Sequence, residues 1–281
     1  MSAHFFDIET VIRSDAKIWI VDKSKPSNCI VKVSQSDFGL IRSGVFRTHG
    51  NLVRFAGVDY YLPDEIMNRV KIACKNTKSN SSNLAFSMRE FVDPEHIGSI
   101  NHVVDVDVLR HLKNTQDDVY FICSRKAKKS YETLIAKVED KLESLGIRPK
   151  YYFVSETFYD RDEDATSFDK VRLILQHMVG KRSDGRKFVE ENVEQYDEVS
   201  FYDEDSRTVQ MAYDISGMLQ MMLSNSDETV ADVIKELVKS KSPSLNSVLV
   251  TPNLRNRFST KSVKLQYSNL LRTYESYRRF K

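Results

Sequence analysis

The chain has 281 residues, with 42 Lys and Arg against 40 Asp and Glu (net charge +2) and 41% hydrophobic residues. That content sustains a globular core, and no run of about 18 apolar residues marks a membrane span. No basic segment followed by an apolar stretch marks a signal peptide. Cys29, Cys74 and Cys123 are widely spaced, with no CxxC and no clustered histidines, which argues against a disulfide framework or a zinc site and for a reducing, cytoplasmic setting.

The first strand is expected within AHFFDIETVI, residues 3–12, where apolar residues run into Asp7 and Glu9. Residues 13–102 alternate short apolar runs with turn signals and read as a β-rich insertion. In it KIWIVD (17–22) and CIVKVS (29–34) form a hairpin joined by KSKPSN, and KNTKSNSSN (75–83) is a loop. After residue 105 the pattern changes. VDVLRHLKN is helical, and DVYFIC (118–123) is a buried strand. Residues 127–147 place Leu134, Val138, Leu142 and Leu145 on one helical face, ended by Gly146. KYYFVS (150–155) is a strand, 166–180 a helix, EVSFYD (198–203) a strand and 206–223 a helix. This alternation implies a parallel α/β sheet built from 1–12 and 103–225.

The remainder, 226–281, reads as a basic extension. From Ser240 to Lys281 there are nine Lys or Arg against Glu275 alone, leaving 33 basic and 39 acidic residues before it. Such asymmetry points to an acidic partner, a nucleic acid or an acidic protein surface. Basic and aromatic residues interleave in 264–280; they suit stacking on single-stranded nucleic acid, docking on a partner as an amphipathic helix, or packing on the protein itself.

Parallel sheets bind ligands beyond the carboxyl ends of their strands. There the first strand delivers Asp7 and Glu9, the second Ser124 and Arg125, and the last Asp203, Glu204 and Asp205, while Lys170 lies near a helix start. Carboxylates from two strand ends suit a hard cation such as Mg2+. One of them can attack phosphorus. A second, two residues on along an extended segment, can protonate the leaving oxygen and activate water. A hydroxyl and a lysine can hold phosphate oxygens. The blander alternatives are solvated acids after an edge strand, Ser124 as a helix cap, Lys170 as a solvated helix residue, and 203–205 as helix N-terminal charges. The scattered histidines, His4, His102, His111 and His177 among them, read as structural, and Met211, Met218, Met221 and Met222 as core.

The set FFDIETVI, VYFICSRK, SFDKVRLILQHM and VSFYDEDSRTVQMA resembles the four motifs of the haloacid dehalogenase (HAD) superfamily. Those motifs are a strand ending Asp-x-Asp-x-Thr, a strand ending in Ser or Thr, a lysine near a helix start, and an acidic pair after the last core strand. The order and spacing are also similar to the phosphatase half of phage polynucleotide kinase–phosphatases and to small HAD-like phage proteins. The resemblance covers roughly residues 3–12 and 103–223. It implies a Rossmann-like fold in which the insertion stands where such proteins often carry a cap. Asp7 would be nucleophile and metal ligand, and Glu9 the acid/base with its carbonyl toward the metal. Ser124 and Lys170 would bind phosphate, and Asp203 with Glu204 or Asp205 would complete a Mg2+ site. Two departures stand out: Glu9 replaces the usual Asp, and Val11 replaces the Thr. A misplacement near one ångström costs about 10²-fold in proton transfer. Two functions follow as expectations. One is a Mg2+-dependent phosphohydrolase acting on a nucleotide or nucleic-acid phosphate, in the host cytoplasm if phage-encoded. The other is a catalytically weakened module in a phage particle or other assembly.

Overall fold

The computed structural model describes residues 1–55, 58–81, 83–110, 112, 116–124, 127–154, 167–183, 188–214, 242–252 and 257–265. In chain order the strands are β1 Ser2–Asp7, β2 Ile12–Ser14, β3 Ile18–Asp22, β4 Lys25–Val33, β5 Asn51–Phe55, β6 Val58–Leu62, β7 Leu84–Ser87, β8 His102–Val104, β9 Asp118–Cys123, β10 Lys150–Phe153, β11 Lys181–Ser183, β12 Phe188–Asn192, β13 Glu198–Asp203, β14 Ser244–Val250 and β15 Phe258–Lys264.

β1 lies in the middle of a six-stranded sheet of order β10-β9-β1-β13-β14-β15. Every neighbouring pair is parallel except β14/β15. Successive side chains of a strand point to opposite faces, and both faces of β1 are covered. Phe5 stacks on Tyr120 at 4.5 Å in one core cluster, and Phe6 stacks on Tyr202 at 4.2 Å in the other. The helix Lys128–Ser144 buries Tyr131, Leu134, Val138 and Leu142 on the Phe6 side. The helix Ser167–Val179 buries Val171, Ile174 and Met178 on the Phe5 side, and the helix Ser206–Tyr213 adds Ala212 there. The protein is therefore mixed α/β around a largely parallel sheet. Among the described residues no helix is long and apolar enough to cross a membrane.

The helix stop predicted at Gly146 is present. Gly146 has φ +72°, its N–H donates to the Glu143 carbonyl (2.8 Å), and the Ile147 N–H donates to the Leu142 carbonyl (3.0 Å). Both are the bonds of a Schellman cap, and Leu142 and Ile147 share one apolar cluster.

The chain leaves and re-enters this layer through the antiparallel pair β2/β8. Between them a second sheet, of order β4-β3-β7-β5-β6, has its own apolar cluster built on Ile20, Phe55, Leu62 and Val70. The insertion also contains helices that the strand pattern did not announce. Gln35–Ser43 starts at a Ser34/Asp37 capping box and ends at Gly44 with φ +75°. Asp64–Thr77 buries Ile66, Val70 and Cys74 at helical spacing and takes in the first three residues of the expected loop 75–83. The hairpin 17–34 has a tighter turn than expected. Ser24 donates its N–H (2.9 Å) and hydroxyl (2.7 Å) to the Asp22 carboxylate, so β4 begins at Lys25. The extra residues are taken up by irregular register around Val21.

The largest difference is at the C-terminal side. Residues 244–250 and 258–264, expected in a basic extension, are the last two strands of the main sheet. Leu245 is buried there in the core cluster on the Phe5 side, and Val248 and Val250 in the one on the Phe6 side, so a short apolar run covered on both faces outweighs the surrounding charge. Residues 226–241, 253–256 and 266–281 of that extension lie outside the described residues, as do Arg125, His111, Met218, Met221 and Met222.

Glu90 ties the insertion together. It accepts the Lys17 N–H (2.7 Å), the Trp19 indole N–H (2.6 Å) and the Lys32 ammonium (2.9 Å). Burial alone would raise its carboxyl, but these donors outweigh burial and hold it at about 2, against 4.5 ordinarily. A carboxyl depressed on folding stabilises fully above its unfolded value, and that contribution disappears as pH falls through the folded one. Glu90→Gln is expected to lower stability at pH 7 by about 1–3 kcal/mol. It is also expected to flatten the loss of stability between pH 4.5 and about 2, as read by urea unfolding across pH.

Candidate functional site

Strand register sets the site. Phe6 pairs with Tyr202 in β13 and Asp7 with Ile122 in β9, so Asp7 and Asp203 end neighbouring strands at the same level. Neither reaches solvent: Asp7 is 1% exposed and Asp203 0%. Lys170, from the first turn of the helix Ser167–Val179, inserts its ammonium between them. Its Nζ lies 3.1 Å from Asp7 Oδ2 and 2.9 Å from Asp203 Oδ2. Burial would lower the Lys170 ammonium, but Asp203 and Asp7 outweigh it and hold it above its ordinary range. Burial raises the Asp203 carboxyl, with Lys170 opposing.

Asp7 does not continue into an extended segment. Residues Ile8–Val11 form one helical turn, and the Thr10 hydroxyl donates to the Asp7 carbonyl at 2.7 Å. The two-residue alternation expected for Asp7 and Glu9 is therefore replaced by a turn. A hydroxyl supports the loop from position 10, while Val11 is buried among apolar side chains. Glu9 accepts the Tyr131 hydroxyl at 3.2 Å, and its carbonyl accepts Gln35 Nε2 at 3.0 Å. Ser124 follows β9, two residues past the partner of Asp7, and is 8% exposed. It does not cap the next helix, which begins at Lys128 after Ala127.

The other two acids face arginines. Glu204 pairs with Arg13, and burial pushes its carboxyl up to about 7 despite Arg13 and Arg42. Asp205 caps the helix Ser206–Tyr213 by accepting the Arg207 N–H (3.0 Å), and donates its own N–H to Asp203 Oδ1 (2.8 Å). It also meets Arg42 at 3.3 Å and the Arg207 guanidinium at 3.2 Å. Against the opposing effect of burial, Arg42 and Arg207 hold the Asp205 carboxyl at about 2. Arg42 is 3.6 Å from Asp203 Oδ1.

Burial of Asp7, Glu9 and Lys170 removes the solvated readings of those residues, and β1 is central rather than an edge. The helix-cap reading holds for Asp205. Arg13, Arg42, Gln35 and Tyr131 were missing from the sequence reading. Three of them come from the insertion, and no local pattern marks a residue that reaches a distant strand end. Three of the histidines have internal partners: His4 meets Tyr202 and Asp117, His102 the Ile97 carbonyl, and His177 Tyr152 and the Glu194 carbonyl.

The donor set can be compared with what Mg2+ requires, which is few carboxylates and several waters. Asp7 Oδ1 is buried with no hydrogen-bond partner among the described residues, and Asp203 lies beside it across Lys170. Among the described residues Asp7 Oδ1 is the oxygen open to a hard cation, whereas Asp203 Oδ2 faces the Lys170 ammonium and Asp203 Oδ1 accepts the Asp205 N–H. The Glu9 carbonyl and carboxylate, Glu204 and Asp205 are directed to the protein partners just named. Among the described residues no three His, Cys, Asp or Glu side chains form a group arranged to hold a metal ion.

Removing one partner from a buried ionic cluster leaves uncompensated charge. Lys170→Met is expected to cost about 3–5 kcal/mol, and Lys170→Met with Asp203→Asn to recover part of it, both measured by urea unfolding. A single-variant loss below about 1 kcal/mol, the size of an exposed pair, would contradict the buried bridge. Searches against protein-family models, curated proteins and solved structures found no significant match to this chain.

Proposed function

We propose that the protein is a phosphohydrolase of HAD type that uses Asp7 as nucleophile. The observation that carries this reading is the buried Asp7–Lys170–Asp203 arrangement at two adjacent strand ends, with Asp7 Oδ1 unpartnered among the described residues. The strand order supports it: β1, with the nucleophile, lies between β9, which leads to Ser124, and β13, which leads to the acids.

In this reading Asp7 Oδ1 attacks phosphorus. The bond from phosphorus to the leaving oxygen breaks, and that oxygen keeps the electron pair and takes a proton from Glu9. Water then attacks the aspartyl-phosphate, gives its proton to Glu9, and phosphate leaves with the Asp7 carboxylate restored. The Tyr131 hydroxyl orients Glu9. Lys170 and Ser124 hold phosphate oxygens, where preorganised donors act most strongly in a dry site. Mg2+, held by Asp7, would supply charge neutralisation on the phosphoryl group. The insertion serves as a cap: Gln35 and Arg42 reach the strand ends from it.

A second reading is favoured by Arg42 and Arg13, whose charges already answer Asp203, Asp205 and Glu204. It is a HAD-like module with reduced turnover that acts as a binding or structural component of an assembly, with the basic residues of 240–281 toward a nucleic-acid or acidic protein partner.

The test is phosphate release from para-nitrophenyl phosphate and a 3′-phosphorylated oligonucleotide with Mg2+. The expected result is turnover by the parent and a loss of more than about 100-fold in Asp7→Asn, the order of general acid–base and nucleophilic contributions. Equal turnover in both would remove Asp7 from the chemistry. No turnover in the parent, with copurification in a stoichiometric assembly, would select the second reading.

A further inference from the structure

Beside the acid cluster lies a separate cavity of about 610 Å3 between the insertion and the main sheet. It is walled by the helix Ser206–Tyr213, by β14 and β15, and by residues 43 and 47 of the insertion. Its volume falls in the range of small-molecule sites, about 300–1,000 Å3.

The lining is divided in character. Val209, Met211 and Leu249 provide an apolar part. Arg47, Arg207 and Lys261 provide three cations, against one acid, Asp214. Arg207 is already bound to Asp205. The other two donate to neutral groups: Arg47 to the Ser206 hydroxyl at 3.3 Å and Lys261 to the side-chain amide oxygen Oε1 of Gln210 at 2.6 Å. Neither meets a carboxylate among the described residues. Lys261 also lies 5.5 Å from the centre of the Tyr213 ring.

We infer that this cavity binds a nucleotide, either free or at the end of a nucleic-acid strand. Arg47 and Lys261 take phosphate oxygens, for which a guanidinium fork is well shaped. The apolar part receives the base, and Ser259 offers a hydroxyl to the sugar. An inorganic anion would use only the cations, so the apolar part selects a ligand with a flat organic portion. A ligand here would join the insertion to the core at the residue that follows Asp205. The inference stands apart from the phosphohydrolase reading because it concerns binding and uses none of the proposed catalytic residues.

The experiment titrates AMP, a single-stranded oligothymidylate and inorganic phosphate into the full chain by calorimetry at low salt. The parent is compared with Arg47→Ala/Lys261→Ala, and thermal unfolding confirms that both are folded. The expected result is binding of AMP, of the oligonucleotide or of both, at least about tenfold tighter than phosphate and weakened at least about tenfold in the double variant. Much tighter oligonucleotide binding with a steep salt dependence identifies the strand as the source, and equal binding identifies the free nucleotide. No binding of either at millimolar concentration, phosphate binding as tight as AMP, or an unaffected double variant would overturn the inference.

Discussion

The Lys170 ammonium sits about 3 Å from two carboxylates, Asp7 and Asp203, that have almost no contact with water. Two buried acids cannot stand side by side unless a cation or a proton lies between them. That constraint ties three separated parts of the chain together. β1 must bring Asp7 to its end, β13 must align Asp203 with it, and the helix Ser167–Val179 must pack so that its first turn faces the gap. The aromatic stacking of Phe5 and Phe6 on their strand neighbours holds the register, and register sets the distance between the charges.

The insertion extends the same electrostatic balance. Arg42 reaches Asp203 and Asp205, Arg13 reaches Glu204, and Gln35 binds the Glu9 carbonyl. The close approach has a steric requirement at Gly39, where a methyl group would collide with Glu204 and Pro252. The helix Gln35–Ser43 therefore works as a wall of the acid cluster while belonging to another hydrophobic core. Movement of the insertion would uncover charge, so the acids and the insertion are coupled energetically as well as spatially.

Much of the main layer was legible because its elements are locally consistent. The apolar runs of β1, β9 and β13, and the Leu134, Val138 and Leu142 stripe ending at Gly146, follow simple periodicity. The acids at strand ends were legible for the same reason. What failed to show were features set by tertiary contact. The turn after Asp7 depends on the Thr10 hydroxyl bonding backward. The helix Gln35–Ser43 is short, and its evidence lies in the caps, Ser34/Asp37 and Gly44, rather than in a long apolar stripe. β14 and β15 lie in a segment whose net charge dominated the reading, although Leu245, Val248 and Val250 carry a strand pattern. Arg42 and Arg13 have no local signature, since their partners are distant in sequence.

In the proposed reaction Asp7 carries the phosphoryl group during turnover. The most direct measurement is rapid quenching during hydrolysis, borohydride reduction of any acyl phosphate, and mass spectrometry of the peptide containing residues 3–12. Reduction at position 7, turning its carboxyl into an alcohol, is the expected result. Turnover without any modification of Asp7, or modification at another acid, would contradict it.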